Sequence, residues 1–210
     1  MAITLQKGQT INLEKSQYDL SQITVGLGWH VRKEEPKGFF KSLRRAGRDE
    51  DYDLDAIAFL LNKNNKVGNL GSDRLVGGDV VFFNSLKHPS GTIWLTGDNR
   101  VGGQGDDDEQ IIVKLESMSP NVERILFLVT IYQGRQKGQH FGMVENAFIR
   151  AVDASGKEMT RFNISSEPSF NNKCAVIFAE VYRKDGGWKF RAIGDPKDTD
   201  NFVDILRQYM

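Results

Sequence analysis

Cysteine is almost missing from this sequence: Cys174 stands alone among 210 residues, with five prolines and three histidines. A lone cysteine excludes an internal disulfide and every paired-thiol metal site. Within the apolar run "CAVIFAEVY" it reads as a buried core thiol. His30, His88 and His140 are scattered without HExxH spacing, so no three-histidine zinc site is expected. Charge of one sign is lacking too. Lys plus Arg and Asp plus Glu both number 28, and no excess points to nucleic acid or to a membrane surface. No stretch approaches ~18 apolar residues, and "MAITLQKGQT" has no apolar leader region. A soluble, reducing, cytoplasmic setting is therefore expected. Neither a P-loop nor a nucleophile-elbow serine occurs, so the residues offer no obvious catalytic machinery.

What is present is strand-forming. A hydrophobic content of 39% is enough for one sizeable core. Period-two and short apolar runs dominate: "ITVGLGWHV" (23–31), "LDAIAFLLN" (54–62), "QIIVKLESM" (110–118) and "VERILFLVTIY" (122–132). Their Val, Ile, Phe and Tyr favour strand over helix. The glycines of 23–31 mark a bulge or a close backbone approach. "DVVFFNSL" (79–86), the turn "HPSG" and "TIWLTG" (92–97) read as a hairpin. So do 146–164 around "DASGK" and 174–194 around Asp185-Gly186-Gly187. Only 198–210 looks helical, with Asp198 or Thr199 as N-cap and Phe202, Ile205, Leu206 and Tyr209 on one face. Roughly ten strands without βαβ alternation predict a mainly β fold, a β-sandwich of two antiparallel sheets with a short C-terminal helix. One domain spanning 1–210 is expected, with 32–52 as a long loop. Trp29, Trp94 and Trp188 fall in strands and read as core or sheet-face packing.

The charge is clustered. "GDNRVGGQGDDDEQ" (97–110) holds five acids against one base, Arg100. Asp98 to Glu109 has the length of an EF-hand loop, but Arg100 and Gly102 stand where that loop needs oxygen ligands, and both flanks are strand-like. The EF-hand reading fails, but the electrostatics remain. Carboxylates about 4 Å apart repel by roughly 1–4 kcal/mol. Their convergence calls for a cation or for raised pKa values. Glycines 102, 103 and 105 would let backbone carbonyls turn inward, and an all-oxygen donor set suits Ca2+. A second cluster, "DEDYDLDA", places Asp53 and Asp55 two apart at a strand start, so both side chains point to one face. The two clusters are expected to meet at one end of the sandwich and bind a divalent metal.

These segments resemble the TerD family of tellurite-resistance and stress-response proteins, calcium-binding β-sandwich domains. The resemblance covers most of the chain. It is carried by "LQKGQTINLEK", "GLGW", "DLDA", "VVFFNSLKHPSG", "GDN", "DDE", "FGMVENAFIRAVD" and "VYRKDGGWKFRAIG". It implies a site for one or two calcium ions built from Asp53, Asp55, Asp98, Asn99, Asp107, Asp108 and Glu109. The family loop reads "GDN", any residue, "TGEGDGDDE". Here Val101 replaces the Thr, Gln104 a Gly, and Gly105 the middle Asp, while Asp106 stands where a Gly precedes the last two aspartates. Asp106 joins the candidates on that ground.

The resemblance implies a calcium-binding module of a bacterial stress-response assembly, with other proteins as partners and no catalysis. The alternative is a calcium-dependent membrane module with the logic of C2 domains. Its contact would be Phe39, Phe40, Lys41, Arg44 and Arg45 in the basic stretch "PKGFFKSLRRAGR". A metal-dependent hydrolase is disfavoured, because no general base or nucleophile stands outside the metal candidates.

Overall fold

The period-two segments form strands. A computed structural model describes residues 2–31, 52–96, 107–164 and 168–210. Its strands are β1 (Ile3–Leu5), β2 (Thr10–Leu13), β3 (Ile23–Val31), β4 (Leu54–Leu61), β5 (Val80–Val81) and β6 (Ile93–Leu95). They continue as β7 (Glu109–Val113), β8 (Arg124–Ile131), β9 (Val144–Val152), β10 (Glu158–Ile164), β11 (Ala175–Lys184) and β12 (Gly187–Lys197). Two short helices are α1 (Gly134–Lys137) and α2 (Phe202–Leu206). Sheet 1 has the order β1-β10-β9-β3-β7-β6 and sheet 2 the order β2-β12-β11-β8-β4-β5. The sandwich is as expected, with twelve strands among the described residues rather than roughly ten. One pairing departs from the antiparallel expectation: β1 runs parallel to β10.

Alternation puts Val25, Leu27, Ile111 and Ile149 of sheet 1 against Ala56, Ala58, Phe127 and Val181 of sheet 2. A second apolar cluster lies outside sheet 2. There Ile57, Phe59, Leu126, Leu128 and Ile177 pack under Phe202, Ile205 and Leu206. Composition suggested one core, whereas the structure has an inner one and an outer one. β4 serves both, which is why "LDAIAFLL" is apolar at nearly every position instead of alternating.

The hairpins at 146–164 and 174–194 form as read. Asp185 (φ 55°) and Gly186 (φ 77°) supply the two positive dihedrals of a type I′ turn. Of the hairpin read over 79–97 only the part next to the "HPSG" turn forms, where His88 N donates to Ile93 O and Leu95 N to Leu86 O. Only Val80–Val81 is strand, and it pairs with β4 in sheet 2, whereas β6 pairs with β7 in sheet 1. The tight turn that joins Phe82 and Ser85 ends β5, and the chain then crosses to sheet 1, where Lys87 bridges Trp94 between those two hydrogen bonds.

The C-terminal helix is shorter than read, and its cap is Asn201 rather than Asp198 or Thr199. The Asn201 side chain accepts from Val203 N at 3.1 Å. The Thr199 hydroxyl is taken instead by Asp204, at 2.8 Å. Cys174 is buried, its thiol donating to Gln139 O, and burial pushes its pKa up. Trp29 and Trp188 are buried. Trp94 lies on the face of sheet 1 with Lys114 Nζ 5.6 Å from its ring. Among the described residues no helix is long and apolar enough to cross a membrane. The loop read at 32–52, with Phe39, Phe40, Lys41, Arg44 and Arg45, lies outside the described residues except for Tyr52.

Candidate functional site

The described acidic candidates lie at the start of β4 and at the start of β7, near one edge of the sandwich. Tyr52, Leu54 and Ala56 are buried, while Asp53 and Asp55 between them are half-buried. That is the two-residue alternation expected of a strand start, and it puts both aspartates on one face of sheet 2. Asp53 O accepts from Tyr132 N at 2.8 Å, which fixes the start of β4 against β8. Asp98, Asn99 and Asp106 lie outside the described residues.

The last three acids of the loop, Asp107, Asp108 and Glu109, take three different directions. Glu109 opens β7 and has the same parity as Ile111 and Val113, so it points between the sheets. Its Oε2 accepts from Ala56 N at 2.5 Å. The reason lies in the pairing of β4. β5 covers only Ala58 and Phe59. Leu60 N on the same side donates to Asp79 O, but Ala56 lies beyond the reach of β5. A buried N–H without a strand partner is costly, and the Glu109 carboxylate supplies the partner. Asp108 turns to β3, where its Oδ2 accepts from Trp29 N at 2.8 Å and its own N–H donates to Leu27 O.

Asp107 goes to the other side of sheet 1. Gly26, Gln110 and Arg150 form one cross-strand row over β3, β7 and β9. Their chain neighbours Val25, Leu27, Ile111, Ile149 and Ala151 are core, so the row faces outward. Asp107 Oδ1 accepts from Arg150 Nε at 2.7 Å, and Oδ2 accepts from Arg150 Nη2 and Gln110 Nε2, both at 3.0 Å. The Asp107 side chain is 1% exposed. Gly26 makes room for it: a β-carbon there would lie 2.3 Å from the carboxylate. Arg150 continues to Glu158 at 3.1 Å, and Glu158 to Arg161 at 3.0 Å. Arg161 stacks on Phe148, 4.1 Å from the ring centroid. The Asp107 hydrogen bonds push the Arg150 pKa further up. Those of Arg161, and then Arg150, hold Glu158 below its usual value.

The donor chemistry suits a hard cation. The five described candidates are nevertheless spread over three levels: the outer side of sheet 1, the space between the sheets, and the far face of β4. Among the described residues no three of His, Cys, Asp or Glu are placed to hold a metal ion. Sequence reasoning anticipated the acids and missed what grips them. Arg150 in "NAFIRAVD" and Gly26 in "TVGLGW" were visible as a base at an outward strand position and a glycine within a strand. Only the strand register puts them side by side. His88 also has a role unread in the sequence. Its Nε2 meets Asp79 at 3.0 Å and its Nδ1 meets the Ser90 hydroxyl at 2.7 Å, fastening the "HPSG" turn to the residue before β5.

Two six-stranded sheets among the described residues, with Asp107, Asp108 and Glu109 held against them, define a β-sandwich domain. The chain belongs to the TerD family, whose TerD domain matches residues 1–209. It is 52% identical over 215 residues to tellurium resistance protein TerX of Serratia marcescens, across 100% of both chains. It is 37% identical to tellurium resistance protein TerD of an Alcaligenes species, over 92% of this chain and 90% of that one. With stress response protein SCP2 of Bacillus subtilis (strain 168) it shares 36% identity over 100% of both. The fold is similar to that of a crystal structure of a homologue of telluride resistance protein TerD from Streptomyces coelicolor A3(2). The TM-score is 0.62 at 22% identity, over 90% of this chain and 98% of that one.

Proposed function

We propose that this member of the tellurium-resistance and stress-response family is a calcium-dependent binding module that acts through protein partners, in the cytoplasm, without catalysis. The observation that carries the reading is the bond from Glu109 to Ala56 N, 2.5 Å. It ties the end of the acidic loop to the residue after Asp55, so the two acidic segments belong to one edge. Asp53, Asp55, Asp98, Asn99, Asp106, Asp107, Asp108 and Glu109 are the pool from which oxygen ligands would come. The ion would neutralise carboxylates that otherwise repel, and would order the loop for a partner.

Calorimetric titration of chelator-stripped protein with Ca2+ tests this. Heat of binding is expected, with a melting temperature that rises as calcium exceeds its Kd. Neither heat nor a melting shift at millimolar calcium would remove calcium from the function.

A further inference from the structure

We infer that Asp107 is the clamp that fixes the acidic loop to sheet 1 through Arg150, and that it does not ligate metal. The inference deepens the calcium reading and rests on it only for its metal half. Three observations carry it. Both carboxylate oxygens of Asp107 are taken, and by one planar guanidinium in a two-pronged pair, with Gln110 as a third donor. Such a pair already supplies the positive charge that an ion would bring. The carboxylate also sits in a built recess. It is 1% exposed and lies over Gly26, where any side chain would collide with it. Finally, Asp107 and Glu109 lie on opposite sides of sheet 1, so no single ion can touch both while this strand pairing holds.

The clamp has a mechanical meaning. Gly26 is in β3 near the middle of sheet 1, and Arg150 is on β9, so the loop's end is bolted to the rigid part of the sandwich. Asp108 and Glu109 are then delivered in fixed directions, to Trp29 N and Ala56 N. Arg150 and Asp107 are positioning residues: whatever the loop binds, they set where it is held. The ligand pool contracts to Asp53, Asp55, Asp98, Asn99, Asp106, Asp108 and Glu109.

The test compares Asp107→Asn, Arg150→Gln, the double variant and Arg150→Lys, each by thermal unfolding in chelator and by calcium titration. In chelator, each of the first two is expected to melt roughly 6–20 °C below the parent, the scale for breaking one buried ion pair in a chain this size. The double variant should melt no lower than the worse single, since both remove the same contact. Arg150→Lys keeps the charge without the fork and should recover part of the loss. In calcium, Asp107→Asn and Arg150→Gln should keep the parent's stoichiometry and weaken affinity by one shared factor of about tenfold, the range for residues that stand behind ligands.

Loss of one calcium equivalent in Asp107→Asn but not in Arg150→Gln would make Asp107 a ligand and overturn the inference. Additive melting losses would overturn it equally. If the parent binds no calcium, the calcium reading alone falls, and the melting comparison in chelator still decides whether the clamp exists. Should either charge-removing variant not fold, Arg150→Lys against the parent reads both quantities.

Discussion

The outer side of sheet 2 carries an apolar coat, while the outer side of sheet 1 carries a chain of ion pairs. On sheet 2, Phe202 packs on Phe82 with ring centroids 5.1 Å apart and on Phe59 at 6.3 Å, and Ile205 and Leu206 complete the cover. On sheet 1, Asp107 before β7, Arg150 on β9, and Glu158 and Arg161 on β10 alternate in sign along a chain of ion pairs. The two faces stabilise in different ways. Apolar burial is non-directional and insensitive to pH, so the coat holds a helix without fixing any single atom of it. Charge-assisted hydrogen bonds are directional, so the ion-pair row can hold one carboxylate at one place. The acidic loop is joined to the face that specifies position. Sheet 2 turns ionic in its own way at Glu180 on β11, which has no exposed surface. Arg124 at 3.0 Å and Arg191 at 2.5 Å hold it, and burial pushes its pKa up against their pull.

The largest expected effect breaks the coat. Phe202→Ala removes the ring shared by Phe59 and Phe82 and is expected to cost roughly 3–5 kcal/mol, read by urea unfolding. A cost under about 1 kcal/mol would mean that the coat merely covers sheet 2.

A smaller effect sharpens the ionic side through pH. Glu158 has its folded-state pKa held below 4.5 by Arg161 and then Arg150. Its ionised form therefore stabilises the fold above the unfolded value, and that contribution is lost as pH falls through the lower folded one. As pH falls below the ordinary glutamate range the parent should lose stability that Glu158→Gln does not lose, a small difference because solvent screens the row. Parallel pH profiles would show that the row is not electrostatically coupled.

The smallest effect is a control on the coat's own surface. Arg207 and Asp204 form a pair at 2.8 Å with side chains 68% and 46% exposed. Arg207→Ala should change stability by less than about 0.5 kcal/mol, so a larger loss would mean that α2 is held by more than its apolar face.

These contrasts also explain which parts were legible in the sequence. Period-two alternation revealed β3, β7 and β9, because each buries one face. β4 was legible only as an apolar run, since "LDAIAFLL" faces apolar neighbours on both sides. The hairpin read over 79–97, of which only the part beside the "HPSG" turn forms, shows the limit of local reading. Nothing in "DVVFFNSL" and "TIWLTG" announces that they serve different sheets, a choice made by β4 and β7 far away in sequence. The cap failed for a similar reason: Asp198, Thr199 and Asn201 are all competent, and Thr199 is drawn off by Asp204. At the site, residue type located the acids, but their partners Arg150, Trp29 N and Ala56 N are 43, 79 and 53 residues away.

The Glu109 contact bears on how molecules of this protein meet one another. β4 pairs with β8 along its whole length, but on its other side β5 pairs only with Ala58 and Phe59, and an unpaired strand margin is in general a template on which another strand can add. A carboxylate already occupies the Ala56 N–H. An approaching backbone carbonyl would have to displace that negative group, and the loop that carries it, before pairing could begin.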